Sequence, residues 1–146
     1  YKNHGLNIAL GTDGQGSGNN LNLFKHLSIT GDLQKALYQD STVISSYEVL
    51  KMATINGAKA LSLEDKIGSI TIGKQADIII LDLNNIEIYP YPDLINQIVH
   101  NVESTNVITT IINGKILMEN RKLLIPIDLT SLKQKVKQLC NRLNIK

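Results

Sequence analysis

Apolar positions open the chain as a short block: Ile8, Ala9 and Leu10 stand in a row without alternation. Such a block suits a strand buried on both faces of a parallel sheet, and a strand of that kind carries its chemistry at its C-terminal end. The block stops at Gly11-Thr12-Asp13-Gly14, so Asp13 stands at that end. The glycine-rich stretch from Gly14 to Asn20 can fold tightly around a ligand or simply turn, and Asn19 or Asn20 is placed to cap the next helix. Leu21, Phe24 and Leu27 then recur at helical spacing, and Leu33, Ala36 and Leu37 continue it beyond Gly31-Asp32. One long helix and two short ones fit that pattern equally. A second helix is predicted from about Ser46 to Leu61, with a Ser start, Glu48 in its first turn, and Val49, Leu50, Ala53 and Ala58 on its apolar face. Asn56-Gly57 predicts a break in it.

From Ile67 the rhythm shortens. Ile67 to Lys74 has brief alternating pieces bounded by glycine, which suits strands and turns, and Ala76 to Asp82 is the strongest strand signal in the chain. Pro90 and Pro92 break the path, and Leu94 to His100 reads as a short helix. Val107 to Ile112 and Lys115 to Met118, joined by Asn113-Gly114, predict a hairpin with a type I′ turn. Leu132, Val136, Leu139 and Leu143 form one stripe of a closing helix from Asp128 to Leu143, predicted to be docked, with Asp128 or Thr130 near its start.

Composition narrows the function. At 146 residues, 42% hydrophobic and 19% charged, the chain can bury a core and is not disordered by composition. A net charge of +2, with scattered lysines and 4% aromatics, gives neither a nucleic-acid footprint nor a stacking platform for single strands. No apolar run approaches the roughly 18 residues of a membrane span, so no membrane partner is expected. Cys140 is the single cysteine, which excludes internal disulfides and thiolate metal clusters and agrees with a cytoplasmic protein. The chain starts at Tyr1, already inside the residues that lead into the first strand, and so reads as a piece of something longer.

A strand, a glycine-rich loop and a helix invite a phosphate-binding reading, but the spacing opposes it. Gly14 to Asn19 lacks the last glycine of G-x-G-x-x-G, no lysine stands where a P-loop needs one, and the Asp13 carboxylate would repel a pyrophosphate. Asp13 itself either caps the following turn or works in a site. His4, His26 and His100 share no metal-ligand spacing. Cys140, among polar residues with no histidine placed by sequence to activate it, reads as structural.

A resemblance bears on this choice. Leu10-Gly11-Thr12-Asp13-Gly14, followed by Ser17, Asn19 and Leu21-Asn22-Leu23-Phe24, resembles the last barrel strand and following helix of the amidohydrolase superfamily. The nearest branch is that of the methylthioadenosine/S-adenosylhomocysteine deaminases and related chlorohydrolases. Met52 to Leu61 is similar to the helix after the barrel, Ile67-Gly68-Ser69-Ile70 and Gly73 to Ile79 to the turn into a small β-sandwich, and Ile112-Asn113-Gly114-Lys115 to a late hairpin. The resemblance implies a (β/α)8 barrel with an added β-sandwich, and a zinc or iron ion at the barrel mouth. That ion would be held by an H-x-H pair, two later histidines and the Asp ending the last strand. Asp13 matches that Asp, and would be metal ligand, general base and proton shuttle in hydrolysis of a small purine-like or triazine-like substrate at a ring C–N or C–Cl bond.

No H-x-H pair occurs, and a whole barrel needs about 250 residues. The resemblance therefore implies an α/β fragment: the last barrel strand and following helices over residues 1–62, C-terminal β-sandwich strands over 63–124, and a terminal amphipathic helix over 125–146. Such a piece alone is expected to hold no catalytic metal and to be inactive. It is also expected to self-associate through strand edges that the barrel would otherwise cover. The alternative is a non-catalytic interaction domain that keeps only the tail of the fold.

Overall fold

A computed structural model describes residues 4–90 and 92–145; Tyr1, Tyr91 and Lys146 are among the positions outside it. The block around Ile8 to Leu10 belongs to no helix and joins no ladder among the described residues. Ile8 and Leu10 are half-buried and Ala9 is exposed, so the strand expected to be buried on both faces has one face packed within this chain. Three hydrogen bonds hold it from that side. Leu10 N–H donates to the Met52 carbonyl (2.9 Å), the Asn56 side-chain amide to the Ile8 carbonyl (3.0 Å), and the Asn7 amide to the Asn56 carbonyl (3.0 Å).

The glycine-rich stretch folds into a single helical turn, α1 (Gln15–Gly18), closed by Asn19 in the left-handed region. The cap of the next helix, α2 (Leu23–Tyr38), is Asn22, not Asn19 or Asn20: its Oδ1 accepts from Phe24 N–H at 3.1 Å. Asn20 acts one step earlier, accepting from Asn22 N–H at 3.0 Å. Helix α2 runs unbroken through Gly31-Asp32, which decides for one long helix. Gly31 is buried because another helix crosses there: a Cβ at this position would lie 3.4 Å from His100 Cε1.

Ser45, one residue before the expected start, caps α3 (Ser46–Met52) in a reciprocal box: its Oγ accepts from Glu48 N–H (3.2 Å), and the Glu48 carboxylate accepts from Ser45 N–H (2.9 Å). The break before α4 (Ile55–Ala60) falls at Ala53-Thr54, not at Asn56-Gly57. The reason is tertiary. In a continuous helix the Met52 carbonyl would accept from Asn56 N–H; here it accepts from Leu10 instead, and the Thr54 hydroxyl takes up the Leu50 carbonyl at 2.8 Å. Helix α5 (Leu94–His100) starts on Asp93, whose side chain accepts from Asn96 N–H at 3.1 Å. Helices α2, α3 and α5 meet in a core of Leu27, Ile44, Val49 and Val99, with Leu10, Phe24 and Met52 packed around it.

Downstream, β1 (Ile78–Leu81), β2 (Val107–Ile112), β3 (Lys115–Glu119) and β4 (Lys122–Leu123) form an antiparallel sheet in chain order. The expected hairpin is present with Thr110 opposite Met118, and Asn113 (φ 49°) and Gly114 (φ 76°) both take the positive φ of a type I′ turn. The stretch from Ile67 to Lys74 forms only turns: Gly68 (φ 87°) packs against α4, where a Cβ would come within 2.7 Å of Ala58 Cβ. Buried Asn106 locks β1 to the entry of β2. Its side-chain amide donates to the Asp82 carbonyl (3.0 Å), its Oδ1 accepts from Glu103 N–H (2.9 Å), and its own carbonyl accepts from Asp82 N–H (2.8 Å).

The last helix, α6 (Leu129–Arg142), is capped as expected by Asp128, whose Oδ1 accepts from Thr130 and Ser131 N–H. It is not docked. Leu132, Val136, Leu139 and Leu143 are all more than half exposed, so the amphipathic pattern is real but its apolar face stays largely open.

Candidate metal-binding carboxylate

Asp13 sits where the segment after Leu10 leads into α1, with φ 57° in the left-handed region. That conformation is costly for a residue with a Cβ, and Asp tolerates it because its short side chain bonds locally. Asp13 Oδ1 accepts from Gly14 N–H at 2.7 Å, and Oδ2 accepts from the Ser17 hydroxyl at 2.8 Å. The Ser17 hydroxyl first and the Gly14 amide second favour the charged form, and they hold the carboxyl below its ordinary pKa against a smaller opposing effect of burial. Asp13 is therefore an exposed carboxylate, ionised at neutral pH, with both oxygens held and one further lone pair free on each.

The remaining sequence candidates do not gather around it. His4 is exposed. His100, on α5, places Nδ1 3.4 Å from Asp32 Oδ1 on α2, and the Ser28 hydroxyl donates to the other Asp32 oxygen at 3.2 Å. That group fastens two helices. His26 keeps a buried Nε2 without a hydrogen-bond partner in the described structure. Cys140 lies half-buried on α6 as a free thiol. Among the described residues no three His, Cys, Asp or Glu side chains converge in a way that could hold a metal ion. The chain fits a divalent metal at one corner only: a hard, ionised, oriented oxygen donor with open coordination capacity. Ser17 was visible in the sequence motif, but its part in orienting Asp13 was not; the usable signal was the i, i+4 spacing across a glycine-rich turn.

Residues 1–117 match the Amidohydrolase family. The chain belongs to that family. Over 119 residues it is 49% identical to a 5-methylthioadenosine/S-adenosylhomocysteine deaminase of Thermoanaerobacter pseudethanolicus, a match that covers 82% of this chain and 28% of that protein. Its fold superposes on a zinc-bound crystal structure of an adenosine deaminase from Xanthomonas campestris with a TM-score of 0.92, at 33% identity, over 99% of this chain and 33% of that one. An atrazine chlorohydrolase from Arthrobacter aurescens TC1, crystallised with zinc, shares the fold at a TM-score of 0.84 and 24% identity over 95% of this chain and 31% of that one. This amidohydrolase-family chain thus spans about a third or less of the proteins it resembles. No helix among the described residues is long and apolar enough to cross a membrane.

Proposed function

We propose that this chain is the C-terminal portion of a metal-dependent hydrolytic deaminase acting on an adenine nucleoside such as methylthioadenosine, and that Asp13 is its contribution to the active site. The carrying observation is the Asp13 carboxylate: exposed, ionised, and held through both oxygens where an apolar segment leads into α1, in a chain similar to deaminases along most of its length. Residues 1–62 supply the last barrel strand and the helices after it, 63–124 the strands of a small β-sandwich, and 125–146 a closing helix. The exposed apolar stripe of α6 and the segment around Ile8, which lacks a ladder partner among the described residues, support a chain whose packing is completed by other protein. The same exposed surfaces support self-association of the chain on its own.

A zinc or iron ion, when bound, supplies the Lewis acidity that brings water into its nucleophilic form near neutral pH. Asp13 would be the residue of this chain that holds the ion, and its carboxylate would serve as a proton acceptor. Its lowered pKa leaves it unprotonated and ready at neutral pH. The Gly14 amide and Ser17 hydroxyl stop the carboxylate from rotating away between accepting a proton and releasing it to the leaving amine. Deamination at a ring C–N bond is favoured over dechlorination because the relative at 49% identity is a deaminase, whereas the likeness to the chlorohydrolase reaches the fold alone.

The test compares three preparations: the complete polypeptide, its Asp13→Asn form, and the 146-residue chain. Zinc content and loss of the adenine chromophore from methylthioadenosine are followed in each. The complete polypeptide is expected to bind zinc and deaminate, and the other two to do neither at a rate above background. Turnover by the isolated chain, or undiminished zinc in Asp13→Asn, refutes the reading.

A further inference from the structure

We propose that Glu103 is a positioning residue for the Asp13 site: through Asn22 it ties the exit of the loop that carries Asp13 to the sheet. The inference rests on the reading of Asp13 as a metal ligand and adds what fixes that ligand's loop in place.

Gly14 and Ser17 orient the carboxylate, but both belong to the same loop and move with it. Among the described residues, the hydrogen bonds of positions 11–21 stay between Thr12 and Asn22. The Gln15 amide donates to the Asn19 carbonyl, the Asn20 amide to the Gly18 carbonyl, and Asn20 Oδ1 accepts from Asn22 N–H. Hydrogen bonds to the rest of the chain stand at the two ends of the loop. On the entry side Leu10 N–H donates to the Met52 carbonyl at 2.9 Å. On the exit side the Asn22 side-chain amide donates to Glu103 Oε2 at 2.8 Å, across eighty-one positions of sequence.

Asn22 divides its amide between two tasks. Its Oδ1 caps α2 by accepting from Phe24 N–H, and its Nδ2 is left for Glu103. Glu103 is itself fastened. Its side chain accepts from Asn106 N–H in a reciprocal box, Asn106 Oδ1 accepts from Glu103 N–H at 2.9 Å, and the Asn106 amide donates to the Asp82 carbonyl that follows β1. A charged acceptor already ordered by one donor loses little freedom on taking another, so the bond holds although it is exposed. The tie therefore runs from the loop exit to the junction of β1 and β2, opposite the anchor on α3.

The test uses the complete polypeptide. Asn22→Asp keeps the oxygen that caps α2, since Asp and Asn cap equally well, but it removes the donor and sets a carboxylate against Glu103. It is expected to weaken Zn2+ binding about tenfold, the lower end of what losing an outer hydrogen bond at a metal site costs. The visible absorption of the Co2+-substituted protein, which reports ligand geometry, should change as well. In the metal-free protein, amide hydrogen exchange over residues 14–19 should quicken. Adding Glu103→Gln to Asn22→Asp restores the tie with its polarity reversed, because the Gln amide donates to the introduced carboxylate. All three readouts should then return towards wild type. Wild-type Zn2+ affinity with a wild-type Co2+ spectrum in Asn22→Asp overturns the proposal, even if the melting temperature falls, because a tie that only stabilises the fold would behave that way. A double variant as impaired as Asn22→Asp also overturns it, since the effect would then lie in Asn22 alone. If Asn22→Asp does not fold, Glu103→Ala decides by the same readouts. Asp13→Asn separates the two claims: if it binds Zn2+ like wild type, the ligand reading fails, while the exchange rates of the metal-free protein still decide the tie.

Discussion

Two leucines on one helix allow the core to be tested with a single chemical change. Leu27 and Leu33 both lie in α2, but Leu27 is 3% exposed in the cluster with Val49 and Val99, whereas Leu33 is 62% exposed. Leu→Ala removes three carbons, and at about 0.8 kcal/mol per buried methylene the lost transfer term at Leu27 is about 2.4 kcal/mol. The incompletely relaxed cavity raises this to about 3 kcal/mol, within the range seen for buried leucines. At Leu33 little area is regained from water, and Ala is at least as good a helix former, so the change stays within about 0.5 kcal/mol. Urea unfolding of the 146-residue chain, followed by far-UV circular dichroism, measures both. For a chain of this size the Leu27→Ala melting temperature should fall by about 10 °C. With total stabilities of roughly 5–15 kcal/mol, that is a large share of what holds the chain together. Equal losses at the two positions, or a larger loss at Leu33, would show that α2 does not bury the face described.

Two further outcomes are expected. Asn106→Ala should cost about 1–3 kcal/mol, because it leaves the Asp82 carbonyl and Glu103 N–H to find other partners beside a buried position; an unchanged urea midpoint refutes this. The carboxyls of Asp13, Asp40 and Asp82 all lie below their ordinary pKa: the first through Ser17 and Gly14, the second through Thr42, the third through the Asn84 amide and Arg121. A lowered folded-state pKa contributes stability that is present above the unfolded value of about 3.9 and is lost as pH falls through the folded one. The urea midpoint should therefore drop only below about pH 4, and Asp82→Asn should flatten that drop. A midpoint that rises on acidification contradicts the assignment.

What was legible from sequence was local. Asn113-Gly114 specified its hairpin because only a few residue types accept two positive φ values in succession, and the Leu94–His100 helix and the Asp128 cap followed from spacing and capping chemistry. Asp13 was legible as a residue of interest from its place after an apolar run, and the family from motifs in order along the chain. The misplaced helix break arose because a distant group claimed a backbone atom. The helix broke at Thr54 because Leu10 took the Met52 carbonyl, and no local signal announces a bond across forty-two residues. Helix α2 passes through Gly31 beneath α5, which settles between the one long helix and the two short ones that the spacing left open. The α6 stripe showed amphipathicity without showing what covers it.

The sequence by itself determined much of the capping and turn chemistry and marked Asp13, because each depends on residues within a few positions of one another. Only the tertiary structure decided how Asp13 is held. The Ser17 hydroxyl on one oxygen and the Gly14 amide on the other depend on how the turn closes, which the i, i+4 spacing permits but does not fix.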